Sequence, residues 1–153
     1  MNSDEAMRRA IDLGRQMMRS GEGRPFGCVI LRNGEVIGEG CNSMDRDNDP
    51  TAHGEVEAIR DASRRLKTLD LAGAELYTSC EPCPMCTSVM YLAGISKLYY
   101  AASAEDPSLF GSDPSRLRRK VGKAVAERAM ASEQVMEEEG RALLLEWAKS
   151  LNG

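Results

Sequence analysis

The spacing of apolar positions changes several times along the chain, and each change marks an element. From Asp4 to about Arg19, Met7, Ile11 and Met18 fall on one helical stripe with arginines spread outside it, as expected for a helix packed on a sheet. Phe26-Gly27-Cys28-Val29-Ile30-Leu31 and Glu35-Val36-Ile37-Gly38 are apolar runs separated by Asn33-Gly34, which predicts two strands joined by a type I′ hairpin. Asp49-Pro50-Thr51 stops the next loop, and a helix is predicted from about His53 to Leu66, then a strand at 75–79. Pro84 suits the first turn of a helix reaching about Ala93, with Gly94 as its stop. Residues 97–101 read as a fourth strand. A crossover of roughly 30 residues, with a helix near 115–128, leads to a short fifth strand at 133–136; that length permits a parallel pair. A final amphipathic helix is predicted over 137–150. The order αββαβαβαβα predicts an α/β domain with helices on both faces of a five-stranded mixed sheet, its last two strands parallel. No repeat, linker or low-complexity stretch divides the chain, so a single domain over 1–153 is expected.

Charge and cysteine usage narrow the setting. A formal charge of -4 gives no general attraction to nucleic acid. No apolar run reaches membrane-spanning length, and Met1-Asn2-Ser3-Asp4-Glu5 carries no signal-peptide pattern. The five cysteines (Cys28, Cys41, Cys80, Cys83, Cys86) are an odd number with one C-x-x-C pair. That argues against a disulfide scaffold and for a reducing compartment, so a cytoplasmic location is expected.

The chemistry is concentrated in two short segments. His53, the only histidine, is followed by Gly54 and Glu55; Pro82-Cys83-Pro84-Met85-Cys86 comes later. H-x-E with a later P-C-x-x-C is the pattern of zinc-dependent nucleobase deaminases. One imidazole and two thiolates supply three ligands and leave a fourth tetrahedral position for water, which separates a catalytic zinc from a closed structural one. Thiolates also favour zinc over magnesium or calcium. Residues two apart on a regular helix point about 200° apart, so His53 and Glu55 share a site most easily at an irregular first turn. Cys83 and Cys86 can face one side at the start of their own helix. The positive ends of both helices would then favour thiolate and hydroxide. Glu55 suits a proton shuttle better than a fourth ligand. Two plainer readings stay open: Cys80 could close a structural Cys₃His set, and the C-x-x-C pair could be a redox motif.

At these residues the chain resembles the cytidine deaminase-like superfamily, and within it the guanine deaminase branch. The matching segments are Pro25-Phe26-Gly27, Glu39-Gly40-Cys41-Asn42, Asn48-Asp49-Pro50-Thr51-Ala52-His53 through Ala58-Ile59-Arg60, and Leu76 through Cys86. The resemblance implies a three-layer α/β/α fold, one zinc per subunit on His53, Cys83 and Cys86, Glu55 as proton shuttle, and a homodimer. It also implies that Asn42 hydrogen-bonds the base, Phe26 lies against its ring, and the Gly54 N–H meets a ring carbonyl. An asparagine amide does offer both donor and acceptor to a base edge. The chain departs from the pattern at Gly54, where an alanine is usual. It departs again where guanine deaminases carry Phe-Asp-Asp after the fourth strand; here the stretch reads Leu109-Phe110-Gly111-Ser112-Asp113, with Asp113 as the candidate substrate contact.

The leading expectation is hydrolytic removal of an exocyclic amine from a nucleobase-type small molecule, guanine first, with tRNA adenosine or cytosine deamination as alternatives. A basic cluster (Arg116, Arg118, Arg119, Lys120, Lys123) would serve a nucleic-acid substrate, but reads better as a solvated helix face. A non-catalytic zinc-stabilised interaction module is the alternative of another class. Trp147 and the leucines of the last helix predict that it borders a pocket or a subunit interface.

Overall fold

The first helix, α1 (Ser3–Ser20), begins at a reciprocal cap. Asn2 Oδ1 accepts from the Glu5 N–H at 3.0 Å, and Glu5 Oε2 accepts from the Asn2 N–H at 2.8 Å. Its buried line is Ala6, Ala10 and Gly14, with Met7 and Leu13 partly buried beside it, whereas Met18 is half exposed. The sequence stripe of larger residues is thus displaced by small ones, which let the helix lie close to the sheet. The structure is a computed structural model, and it describes residues 1–104 and 115–153.

Strands β1 (Gly27–Arg32) and β2 (Glu35–Cys41) form the expected antiparallel hairpin. Asn33 and Gly34 both take positive φ, as a type I′ turn requires. Side chains of β1 alternate between two apolar clusters. Cys28 and Ile30 join Ala58, Ile59, Ala62 and Met90 on one face; Val29 and Leu31 join Ala6, Ala10 and Tyr77 on the other. After β2 comes one unpredicted turn of helix, α2 (Met44–Asp47), and then α3 (Gly54–Leu66). Glycines let α3 sit on β2. A Cβ on Gly38 would stand 2.5 Å from the Ala58 carbonyl oxygen, and one on Gly40 would collide with the Ala58 nitrogen.

Strand β3 (Glu75–Cys80), helix α4 (Pro84–Ala93) and strand β4 (Lys97–Ala102) complete a right-length crossover, so β3 and β4 pair parallel. Gly94, with φ 76, ends α4 as expected. The sheet order is β2-β1-β3-β4, with α1 on one face and α3 and α4 on the other. Among the described residues the sheet has four strands, not five. The parallel pair is therefore β3 with β4.

Chain contacts separate Met1–Arg118 from Arg119–Gly153 as two compact units. Helix α5 (Ser115–Val121) ends just before Gly122, short of the expected 128, and a 3₁₀ turn follows at Val125–Glu127. Residues 133–136, the expected fifth strand, are irregular; the second unit holds no other strand to pair with them. Its last helix, α6 (Glu137–Leu151), leaves Leu143, Leu144, Leu145 and Trp147 exposed. No described helix is long and apolar enough to cross a membrane.

Candidate metal and catalytic site

Two helix starts build the site. His53 is the N-cap of α3 and Cys83 the N-cap of α4, both with extended backbone, and neither side chain caps its own helix. Both side chains are therefore free to turn toward a common point. The extended backbone at His53 also removes the angular conflict with Glu55, two residues on. His53 Nδ1 lies 3.6 Å from Cys83 Sγ and 3.4 Å from Cys86 Sγ. Tetrahedral zinc with Zn–S near 2.3 Å and Zn–N near 2.05 Å would set nitrogen and sulfur about 3.6 Å apart. The three donors therefore fit that ion in both element type and spacing. They form the one such His/Cys/acid group among the described residues. Cys80 stands on the cavity wall and does not join it.

The electrostatics agree with a cation at this point. The Cys83 thiol is pushed down to about 4, chiefly by its hydrogen bond with Cys86 and further by His53. Cys86 is pushed up, first by that same bond with Cys83 and then by burial. A bound dication would favour the thiolate form of both sulfurs. The His53 imidazole is raised mainly by its bond with Cys83, against burial and the nearby Arg24 charge.

Glu55 is 6 % exposed and accepts a hydrogen bond from Thr78 Oγ1 of β3 at 3.0 Å. Burial raises its pKa above the ordinary carboxylate range, while the Thr78 and Cys86 hydrogen bonds oppose that shift. It is thus a buried carboxylate beside the metal-capable group, suited to taking up and releasing a proton.

The group opens into a cavity of about 320 Å³, lined by Arg24, Phe26, Asn42 and Met44 as well as His53 and Glu55. Asn42 is buried. Its Oδ1 accepts from the Met44 N–H at 3.2 Å and its Nδ2 donates to Met44 Sδ at 3.3 Å. It is therefore both the turn residue that starts α2 and a wall of the cavity. Phe26 is half-buried, and its carbonyl accepts from the Asn42 N–H at 2.8 Å, which ties the two walls together. Gly54 does not line the cavity. It is buried behind the wall, where a Cβ would stand 2.6 Å from the Phe26 carbonyl oxygen, which accounts for glycine at this position. Asp113 lies outside the described residues.

Three further residues belong to the site. Thr78 fixes Glu55; it falls within the Leu76 through Cys86 segment, but nothing in the sequence links it to Glu55. Glu81 also lines the cavity. Its carboxylate accepts from the Ala104 N–H at 2.8 Å, pinning the end of β4 to the cysteine loop. Arg24 also lines the cavity, directly before the Pro25-Phe26-Gly27 segment, whose resemblance does not reach it.

Residues 1–102 match the cytidine and deoxycytidylate deaminase zinc-binding region. The chain is 42 % identical over 135 residues to the guanine deaminase of Bacillus subtilis (strain 168), which covers 88 % of this chain and 86 % of that protein. A solved structure of guanine deaminase from Bacillus subtilis superposes with a TM-score of 0.91 and 39 % identity, covering 97 % of this chain and 95 % of that one. The tRNA-specific adenosine deaminase of Aquifex aeolicus (strain VF5) is 45 % identical over 78 residues, about half of each chain. The structure of NE0047 in complex with 2,6-diaminopurine gives a TM-score of 0.67 at 30 % identity, over 71 % of this chain and 61 % of that one. With three zinc-capable donors beside a buried glutamate, and the family region matched across residues 1–102, the chain belongs to the cytidine and deoxycytidylate deaminase family of zinc-binding hydrolases.

Proposed function

We propose that the protein is a zinc-dependent deaminase of free purine bases that converts guanine to xanthine and ammonia. The observation that carries this reading is the juxtaposition of His53, Cys83 and Cys86 with the buried Glu55 in one cavity. At about 320 Å³ the cavity is at the small end of ligand pockets, which run from roughly 300 to 1,000 Å³. That size admits a single base. The extent of the match to the Bacillus subtilis guanine deaminase supports the same choice.

His53, Cys83 and Cys86 would hold the zinc. When bound, the ion supplies Lewis-acid activation of water, bringing its pKa to about 7. Glu55, held by Thr78, is placed to take up a proton from the attacking water, whose oxygen would add to the amine-bearing ring carbon. Glu55 delivers that proton to the ring nitrogen and then carries the remaining O–H proton of the added oxygen to the amine, which leaves as ammonia while the carbon becomes a carbonyl. Burial raises the Glu55 pKa above the ordinary carboxylate range, which makes it a better proton donor than an exposed glutamate. Asn42 orients the base by donor and acceptor contacts, and Phe26 covers its face. The carboxylate of Asp113 completes the proposed contacts, whereas Gly54, which does not line the cavity, is left out of them.

The active form is proposed to be a homodimer in the cytoplasm. The exposed Leu143, Leu144 and Trp147 of α6 support an interface, and five free cysteines suit a reducing compartment. Ammonia release from zinc-loaded protein across guanine, guanosine, adenine, cytosine, cytidine and a tRNA anticodon stem tests the assignment. Guanine should give the highest kcat/KM; preference for the tRNA stem would replace this reading with tRNA adenosine deamination.

A further inference from the structure

The buried end of the cavity is occupied by groups with chemical roles, but its mouth carries charge that those roles do not use. Cys86 is fully buried and Glu55 nearly so, whereas the Arg24 side chain is 51 % exposed. The amine must reach the buried Glu55, whereas the half-exposed Arg24 lines the same cavity and is available to the rest of a bound heterocycle. Arg118 lines the same cavity.

The carboxylates nearby are already engaged. Glu55 accepts from Thr78, and Glu81 accepts from the Ala104 N–H. Among the described residues Asp45 pairs with Arg24, taking Nε at 3.3 Å and Nη2 at 3.4 Å, both long and exposed contacts. A guanidinium has five N–H donors. Those not directed at Asp45 make no hydrogen bond among the described residues.

The local backbone aims this group. The Phe26 N–H donates to the Arg24 carbonyl at 2.8 Å across Pro25, a three-residue turn that leaves both Arg24 and Phe26 lining the cavity. An aromatic face for the ring thus stands next to a planar cation for its edge. Guanidinium is the group best matched to a planar, acceptor-rich anion.

We propose that Arg24, aligned by Asp45 and assisted by Arg118, reads negative charge on the substrate edge remote from the leaving amine, so that an anionic analogue is favoured over its own neutral counterpart while guanine stays the preferred neutral base. This rests on the deaminase reading and narrows its substrate class. The charge can come from a deprotonated ring nitrogen of an acidic base or from a phosphate carried outward on a ribose.

The test measures preference as a ratio. Deamination by the zinc-loaded protein is compared for 8-azaguanine against guanine and for guanosine 5′-monophosphate against guanosine; the extra ring nitrogen makes 8-azaguanine the stronger acid. The same four compounds are titrated calorimetrically into the Glu55→Gln protein, which reports binding without turnover. In one arm or the other, Arg24→Gln should lower the anionic-to-neutral ratio about tenfold through KM, the low end for a charge-assisted hydrogen bond because the group is half exposed. Arg24→Lys should recover part of it, and added salt should shrink it. A response confined to 8-azaguanine assigns the charge to the ring; one confined to the monophosphate assigns it to the phosphate. Ratios unchanged by Arg24→Gln in both arms overturn the proposal. Absent turnover with the binding ratios still dependent on Arg24 would count against the deaminase reading alone.

Discussion

Replacing Glu55 by glutamine separates proton transfer from everything else the residue does. The two side chains are close in size, and glutamine retains an oxygen that can accept the 3.0 Å bond from Thr78 Oγ1. The fold and the metal set should therefore survive. The carboxylate is lost, and with it a shuttle worth about 10²–10⁴ in rate, or roughly 3–5.5 kcal/mol of barrier. Stability should move the other way. Burial raises the Glu55 pKa in the fold above its unfolded value, so the folded state is penalised once the group ionises. That penalty is absent below the unfolded pKa and appears in full as pH rises through the raised folded pKa. Metal-free Glu55→Gln should thus unfold at a higher temperature than wild type at pH 8, and the gap should close toward pH 4. The assays are ammonia release, zinc content by atomic absorption, and thermal unfolding of the metal-free proteins across pH. Retention of more than about a tenth of wild-type turnover would refute the shuttle role. Loss of zinc would instead make Glu55 a ligand.

The Cys83→Ala/Cys86→Ala double variant should lose zinc and melt lower than the zinc-loaded wild type, since metal binding contributes to folding; full zinc occupancy would remove these residues from the ligand set. Gly40→Ala places a methyl against the Ala58 nitrogen and should cost about 1–3 kcal/mol in urea unfolding; an unchanged midpoint would mean that α3 does not pack as closely on β2 as described. Replacing Arg116, Lys120 and Lys123 together with glutamine should leave guanine turnover nearly unchanged, and salt-dependent tRNA binding that vanishes in this variant would favour the nucleic-acid reading. Removing residues 140–153 should impair activity and self-association more than zinc content, as read by turnover and sedimentation; an unchanged dimer with unchanged activity would leave α6 without that role.

The sequence revealed most where the information is local. Asn33-Gly34 specifies its turn through backbone dihedrals, Pro84 and Gly94 bracket α4, and His53 and Cys83 sit at helix starts that their own neighbours define. Pairwise contacts across the chain were invisible. Thr78 meets Glu55, and Glu81 meets Ala104, each 23 residues apart, and no spacing rule links such positions. The buried stripe of α1 was misplaced because periodicity weights large residues, whereas close approach to a sheet selects Ala6, Ala10 and Gly14. The fifth strand failed for a related reason. Two apolar residues in a four-residue run can fit a strand, but a strand also needs a neighbour.

The central claim is an open zinc site beside a proton shuttle, and zinc K-edge absorption of the wild-type protein tests it most directly. The account expects one zinc per chain with two sulfur ligands near about 2.3 Å and two nitrogen or oxygen ligands near about 2.0 Å, one from His53 and one from solvent. The solvent ligand should be displaced or shifted when a base analogue is added. Three sulfurs and one nitrogen, insensitive to any base, would place Cys80 on the metal, close the site and contradict the enzyme reading.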